Sequence, residues 1–322
     1  MENLDAITLE IQSLFYQGAY QACLELVRQN SSGPPSDPTF QQRLLYGARS
    51  AIASNDTSSA LALLPSGSIN TPSAQAVRAL ANFVAAQNAN NSAKSEQALE
   101  ELQNVLDQAI FNDPSGQIIR VCIGTALARN NDPVGALETL GMGQANSKEI
   151  ECIALGIHIL LSIHRLDLAQ KEYNAARVWA DDSLLIQLIE AHIGIYEGGR
   201  AAQQAYYVYD ELAQNPSYAG KPSTVPSLTG KAVARIVSSE YDDAQSTLTQ
   251  ATELNPKYAD ALANQVPLAT LGKQTGQTEA LHEALAQLRS AAPQHALLRD
   301  LKEKERLFDE AFVQHREALS NA

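Results

Sequence analysis

The sequence predicts an all-α protein built from stacked helical hairpins, and three observations indicate this fold class. Apolar residues recur at the three- and four-residue spacing of one helix face in almost every segment. Almost every break between these segments is a short turn. Aromatic residues make up only 6% of the 322 residues, whereas alanine and leucine are plentiful, and this composition suits close packing between helices.

The segment 227–256 gives the most specific prediction. Leu228 and Ala232 lie on one face of a first helix, and Pro256 closes the unit. A second helix carries a stripe of large and small residues at Tyr241, Ala244, Leu248 and Ala251. This phasing within about 34 residues is typical of a tetratricopeptide repeat. Because one such hairpin cannot bury its apolar faces alone, we expect a single tetratricopeptide-like solenoid over residues 1–322.

Further hairpins precede this unit in order along the chain. The first has helices through 7–15 and 20–27, where Tyr20, Cys23 and Val27 repeat the large–small–large spacing. Turns rich in Asn, Asp, Gly and Pro, which favour helix ends, separate the helices that follow. These helices are predicted at 39–54, 60–64, 73–87, 95–111, 115–129, 133–140, 148–163, 166–179, 183–196 and 201–213.

Two loops and a terminal helix complete the predicted organisation. Residues 30–38 and 214–226, which contain several prolines and serines, are predicted internal loops. Helices at 259–271 and 278–290 follow the repeat at 227–256. The last helix, 294–319, is predicted to cap the solenoid. Its apolar stripe consists of Leu297, Leu301, Phe308, Phe312 and Leu319.

The overall charge limits the classes of partner. A net charge of −13 and a pI near 4.9 argue against nucleic acid and against electrostatic binding to anionic lipid. Three widely spaced cysteines are typical of reduced, mostly buried thiols. The segment 1–10 lacks the features of a signal peptide, and the most apolar run, 150–166, is broken by Glu151, His158, Ser162 and His164. We therefore expect a soluble cytosolic protein without direct membrane insertion.

No pattern predicts catalysis, a cofactor or a metal. The pairs Gly220-Lys221 and Gly230-Lys231 lack the earlier glycine and the following Ser or Thr of a phosphate-binding loop. The histidines do not fall at spacings that bring three or four ligands together. An enzyme would require a convergent polar pocket with perturbed ionisable groups, which no spacing supplies.

Four stretches together resemble the epsilon subunit of coatomer, the COPI vesicle coat. Residues 14–23 read Leu-Phe-Tyr-Gln-Gly-Ala-Tyr-Gln-Ala-Cys, and residues 150–154 read Ile-Glu-Cys-Ile-Ala. Residues 164–169 read His-Arg-Leu-Asp-Leu-Ala, and residues 204–211 read Gln-Ala-Tyr-Tyr-Val-Tyr-Asp-Glu. With the hairpin at 227–256, the likeness extends in register over nearly the full length.

The resemblance implies a fold, a function and a partner. Members of this family look like a helical-repeat solenoid curved into a bracelet. It implies a non-catalytic coat subunit that binds and stabilises the C-terminal domain of the coatomer alpha subunit, and through it joins the other subunits. It also implies a cytoplasmic protein that is peripheral on Golgi membranes and COPI vesicles, in retrograde Golgi-to-ER and intra-Golgi transport.

The residues suggest where a partner binds. First helices of tetratricopeptide hairpins line a concave surface, and here that surface is largely apolar. We expect it to be filled by a partner or by closure of the ring, since exposed apolar surface is a liability. Alternatively, some of these residues pack between helices of the solenoid. The candidate partner-binding residues are Leu188, His192, Ile195, Tyr206, Tyr207, Thr229, Val233 and Ile236.

One further functional class stays open. A peptide-binding adaptor or co-chaperone would have the same fold. Such a groove usually carries Lys, Arg and Asn, which pair with the carboxylates of a peptide tail. The predicted groove lacks such residues, and the coat-subunit hypothesis is therefore preferred.

Overall fold

A computed structural model describes residues 5–144, 147–272 and 277–320, with side chains for all of these except 277 and 317–320. Within these residues the chain forms α-helices, one short 3₁₀-helix and no strand, which confirms the predicted all-α fold. The backbone divides into two compact units, Met1–Glu211 and Leu212–Ala322. One continuous domain over 1–322 stays a prediction.

The first unit consists of six helical hairpins, and the last of its helices ends just beyond the unit's boundary. The helices are α1 (Ala6–Tyr16), α2 (Tyr20–Gln29), α3 (Pro38–Ala53), α4 (Thr57–Leu63), α5 (Pro72–Asn88), α6 (Ser92–Leu106), α7 (Pro114–Arg129), α8 (Pro133–Thr139), α9 (Ile150–Ser162), α10 (Leu166–Ala180), α11 (Leu184–Glu197) and α12 (Gly199–Ala213). Asp37, Thr71 and Asp113 cap α3, α5 and α7, each followed directly by proline. A capping side chain followed by proline favours the first turn of a helix.

The second unit continues the same architecture. Its elements are a 3₁₀-helix (Pro222–Thr224), α13 (Val225–Val237), α14 (Tyr241–Leu254), α15 (Ala259–Leu271), α16 (Gln277–Ala291) and α17 (Ala296–Ser320). The stripe that identified the repeat is buried in one core, which includes Leu228, Ala232, Ala244, Leu248 and Ala251. The predicted phasing of this hairpin is therefore confirmed.

A repeated turn joins the two helices of most hairpins. One residue with positive φ lies two positions before the second helix, and it is Gly18, Asn55, Asn90, Asn131, His164 or Ser239. The backbone N–H of the next residue donates to the carbonyl oxygen five positions earlier, with N–O distances of 2.8 to 3.0 Å. This is the Schellman arrangement that ends a helix. The turn before α12 differs, because Gly198 has positive φ and α12 begins at the very next residue.

The first helices of the hairpins form the inner layer of the first unit. Helices α1, α3, α5, α7, α9 and α11 pack side by side in this order, and α2, α4, α6, α8 and α10 pack against them. Helix α1 also contacts α11. The inner layer of this unit therefore curves back toward its own beginning, and its inward residues face one another.

Three predicted boundaries are corrected. The helix predicted at 95–111 is α6, Ser92–Leu106, because Asn91 caps it and Arg120 binds the carbonyls of Ala109 and Ile110 beyond its end. The loop predicted at 214–226 ends earlier, because a 3₁₀-turn leads into α13 and Pro226 fits its first turn.

The third corrected boundary belongs to the predicted cap at 294–319. It is α17, and its first turn packs against the core of the second unit through Leu297 and Leu298. The next residues, 299–316, are all exposed. The side chain of Leu319, the last member of the predicted stripe, lies outside the described part of the chain.

Candidate protein-binding surface

A buried polar cluster lies at the centre of the inner layer of the first unit. Arg49 on α3 donates from Nη2 to Oε2 of Glu151 on α9 at 2.5 Å, and both side chains are at least 90% buried. Tyr16 and Tyr46 donate to the other carboxylate oxygen at 2.8 and 3.2 Å. The cluster therefore joins α1, α3 and α9, and we call it the Glu151 cluster.

Aromatic rings complete the surroundings of Arg49. Its guanidinium carbon lies 4.5 Å from the centroid of the Phe15 ring, a distance at which cation and ring attract. The second terminal nitrogen, Nη1, is buried and has no hydrogen-bond acceptor. Burial raises the pKa of Tyr16 and Tyr46, and the Glu151 charge raises both further. These phenols therefore stay protonated and act as donors to the carboxylate.

A cavity of about 360 Å³ adjoins the Glu151 cluster. Its walls come from the inner layer together with Tyr20 of α2, and they are mostly apolar. Its apolar lining residues include Phe15, Tyr20, Val84, Val121, Leu155 and Leu185. A concave, mainly apolar cavity with a few convergent polar groups is typical of a binding site. We call this space the inner cavity.

The predicted groove residues of α11 lie beside this region with different exposures. Leu188 is only 7% exposed and offers little surface to a partner, whereas Ile195 is half-buried and His192 is exposed. The ring centroids of His192 and His158 are 6.4 Å apart. Part of each ring is open to solvent, but the protein atoms around both rings desolvate them. Desolvation and the neighbouring His158 therefore lower the pKa of His192 to about 4, and desolvation also lowers the pKa of His158. Both imidazoles are therefore neutral at pH 7.

The remaining predicted residues fall on α12 and α13. Tyr207 is 61% exposed and its ring packs edge-on against Tyr206. Val233 and Ile236 are half-buried. Thr229 is buried, and its hydroxyl donates to the Val225 carbonyl at 2.8 Å within the same helix. Thr229 therefore offers a partner no surface in this structure, and partner contact at the other four residues stays a prediction.

The described side chains form no cluster that could hold a metal ion. No group of three or more His, Cys, Asp or Glu converges among them. Burial raises the pKa of Cys23 to about 11 and of Cys122 to about 12, and a protonated thiol is a poor nucleophile. All three cysteines are unpaired and buried, as predicted. In the described part of the chain, no helix combines the length and apolar character needed to cross a bilayer.

Sequence reasoning missed both the Glu151 cluster and the pair formed by His158 and His192. It compared histidines only along one helix, whereas these two lie on neighbouring helices. The sequence signal that indicates the Glu151 cluster is a charged residue within a strongly apolar helix. Glu151 interrupts the run at 150–166, and Arg49 lies among the small residues Gly47, Ala48, Ser50 and Ala51 of α3.

Comparisons with known proteins agree over most of the chain. Residues 8–316 match the sequence profile of a family described as the coatomer epsilon subunit. The rice (Oryza sativa subsp. indica) protein named coatomer subunit epsilon-2 is 29% identical over 302 residues, which cover 92% of this chain and 93% of the rice protein. A Caenorhabditis elegans protein named coatomer subunit epsilon is 25% identical. That match covers 93% of this chain and 95% of the worm protein.

Solved structures support the fold alone. The crystal structure of the APC/C hetero-tetramer Cut9–Hcn1 superimposes with a TM-score of 0.58 at 12% identity, covering 94% of this chain and 57% of that one. A tetratricopeptide repeat protein from Parabacteroides merdae superimposes with a TM-score of 0.52 at 11% identity. The match covers 81% of this chain and 96% of that one. The chain is thus similar to repeat solenoids of this type.

Proposed function

The chain belongs to the coatomer epsilon subunit family, and on this premise we propose that it is a non-catalytic scaffold subunit of the COPI coat. It binds the C-terminal domain of the alpha subunit and stabilises it within the coat. Through this contact it joins the other coatomer subunits. It acts as a cytoplasmic protein, peripheral on Golgi membranes and COPI vesicles, in retrograde Golgi-to-ER and intra-Golgi transport.

The inner cavity is the observation that supports this proposal. Its walls offer apolar side chains around a space large enough for several partner side chains, and Leu155 and Leu185 on it are only half-buried. Burial of such apolar surface by a partner is favourable at about 25 cal/mol per Å². The Glu151 cluster fixes the helices behind this wall, so that the surface is formed before binding.

The experiment is a pull-down from cytosol with the intact chain. We expect recovery of the alpha subunit together with the other coatomer subunits. Leu155→Arg and Leu185→Arg each place a charge in the inner cavity and should reduce recovery of the alpha subunit at least tenfold. Val178→Arg is the matched control, because Val178 is 87% exposed on α10, and its recovery should equal that of the unaltered chain.

Two results would contradict the proposal. Recovery of chaperones alone would support the adaptor alternative instead of a coat subunit. Unchanged recovery of the alpha subunit by both cavity variants, with circular dichroism showing folded protein, would move the binding surface away from the inner cavity. In that case Tyr207 on α12 is the residue to alter next, followed by a separate test of Val233 and Ile236 on α13.

A further inference from the structure

Helix α17 carries an apolar face that nothing in the described chain covers. Residues 299–316 are all exposed, which corresponds to about 27 Å of helix at 1.5 Å per residue. Phe308 and Phe312 are 69% and 57% exposed, and their rings stack with centroids 6.4 Å apart. Large exposed apolar residues in one patch mark an interaction surface.

The spacing of this face is that of a coiled coil. Leu298, Leu301, Glu305, Phe308 and Phe312 follow one another at alternating intervals of three and four residues. These are the a and d positions of a heptad, with Leu301 and Phe308 at d. Arg306 forms ion pairs with Glu303 and Glu310 on the opposite face. The seam thus lies opposite these ion pairs, while Leu307 and Val313 are exposed apolar residues away from it.

The charged residues beside the seam indicate that a second copy of this chain binds there. Lys304 occupies a g position and Asp309 the following e position. In a parallel pair of identical helices, each g residue faces the e residue five positions later on the other copy. Lys304 then faces Asp309 of the second copy, and this contact forms twice. In an antiparallel pair, g positions face g positions, so Lys304 could not face Asp309 of the other copy.

We propose that α17 pairs in parallel and in register with α17 of a second copy of this chain. The seam buries Phe308 and Phe312, and the two contacts between Lys304 and Asp309 set the orientation. Glu305 occupies an a position, where it faces its own equivalent, and this like-charge contact keeps the pairing reversible at neutral pH. The inference does not depend on the proposed coat function, since it needs no other subunit.

The first test is sedimentation equilibrium of the full chain over a range of concentrations. We expect a reversible monomer–dimer equilibrium that Phe308→Ser with Phe312→Ser shifts fully to monomer. Leu307→Ser is the matched control, because Leu307 is an exposed apolar residue of α17 off the seam, and it should associate like the unaltered chain. Glu305→Leu should tighten association about tenfold or more, the factor that corresponds to about 1.4 kcal/mol.

The second test fixes orientation and register. Leu301→Cys should form disulfide-linked dimers on mild oxidation, because equal d positions face each other only in a parallel, in-register pair. Leu307→Cys should not do so. Lys304→Asp should weaken association, and Lys304→Asp with Asp309→Lys should restore it.

Three results would contradict the proposed pairing of α17. A monomer at about 100 μM with no excess cross-linking of Leu301→Cys over Leu307→Cys would overturn the proposal. Dimers that survive the double serine substitution would place the contact elsewhere. Failure of the charge exchange to restore association would exclude the parallel orientation.

Discussion

Glu151 on α9 accepts a hydrogen bond from Arg49 on α3 at 2.5 Å, although the two residues are 102 positions apart in the chain. Tyr16 on α1, 135 positions from Glu151, donates to the same carboxylate. In a solenoid each hairpin normally contacts only its neighbours. This ion pair therefore adds a long-range contact that ties the beginning of the first unit to its later hairpins.

Removing one partner of this pair should be strongly destabilising. Glu151→Leu is expected to lower the free energy of unfolding by about 3–5 kcal/mol, because Arg49 keeps its charge in a buried site. Urea unfolding followed by circular dichroism measures the change. Asp167→Asn, which breaks an exposed ion pair with Arg165, should leave stability almost unchanged because solvent screens that pair. Equal losses in both variants would contradict this account.

Gly116 on α7 is expected to tolerate no side chain. A Cβ there would collide with the backbone carbonyl oxygen of Ile110, so that the loop preceding α7 would have to move. Gly116→Ala should therefore lower the free energy of unfolding by about 1–3 kcal/mol. Gly67→Ala is the control, since a Cβ at Gly67 meets nothing within 4 Å. Thermal or urea unfolding with no difference between the two would disprove the expected collision.

Stability should fall between about pH 6.5 and pH 4, partly through His192. Its folded-state pKa of about 4 lies below the ordinary value of 6.5, so the unfolded chain binds the proton first as the pH falls. The stability from the neutral imidazole is present at pH 7 and is lost as the pH falls through this window. His192→Gln should flatten the pH dependence of the urea midpoint relative to the unaltered chain. Identical slopes for His192→Gln and the unaltered chain would argue against a lowered pKa of His192.

The left-handed turn residues offer a stabilising substitution. Ser239 has φ of 64°, a conformation that is costly for a residue with a Cβ and costs glycine little. Ser239→Gly should raise the free energy of unfolding by about 0.5–1 kcal/mol. Ser238→Gly should lower it, because the adjacent Ser238 has φ of −80° and gains no relief. Calorimetry on both variants checks the opposite signs.

The capping role of α17 should be confined to its first turn. A chain that ends at Arg299 keeps Leu297 and Leu298 on the core of the second unit, and its thermal transition should match that of the full chain. A chain that ends before Gln294 uncovers that core, which includes Leu262 and Leu288. Its transition should be lower and less steep. Equal transitions for the two truncated chains would show that these leucines do not cap the unit.

The local sequence pattern predicts the repeat, but it does not predict the Glu151 cluster at the centre of the first unit. The stripe Tyr241, Ala244 and Leu248 reflects one helix face, which the period of the sequence reveals directly. Arg49 and Glu151 meet only because the inner layer curves, and no local spacing encodes that curvature. The exposures of Leu188 and Thr229 follow from how closely neighbouring helices pack, and this also depends on contacts between hairpins.

The repeated turn also determines where the protein can change in length. One residue added inside the turn at Asn55 or Asn90 would disrupt its five-residue backbone bond. The next helix would then start in a different direction, and its apolar stripe would leave the core. Connections between hairpins share no such turn and differ in length, as 181–183 and 107–113 do. Insertions and deletions among related proteins should therefore fall in these connections, or comprise whole hairpins.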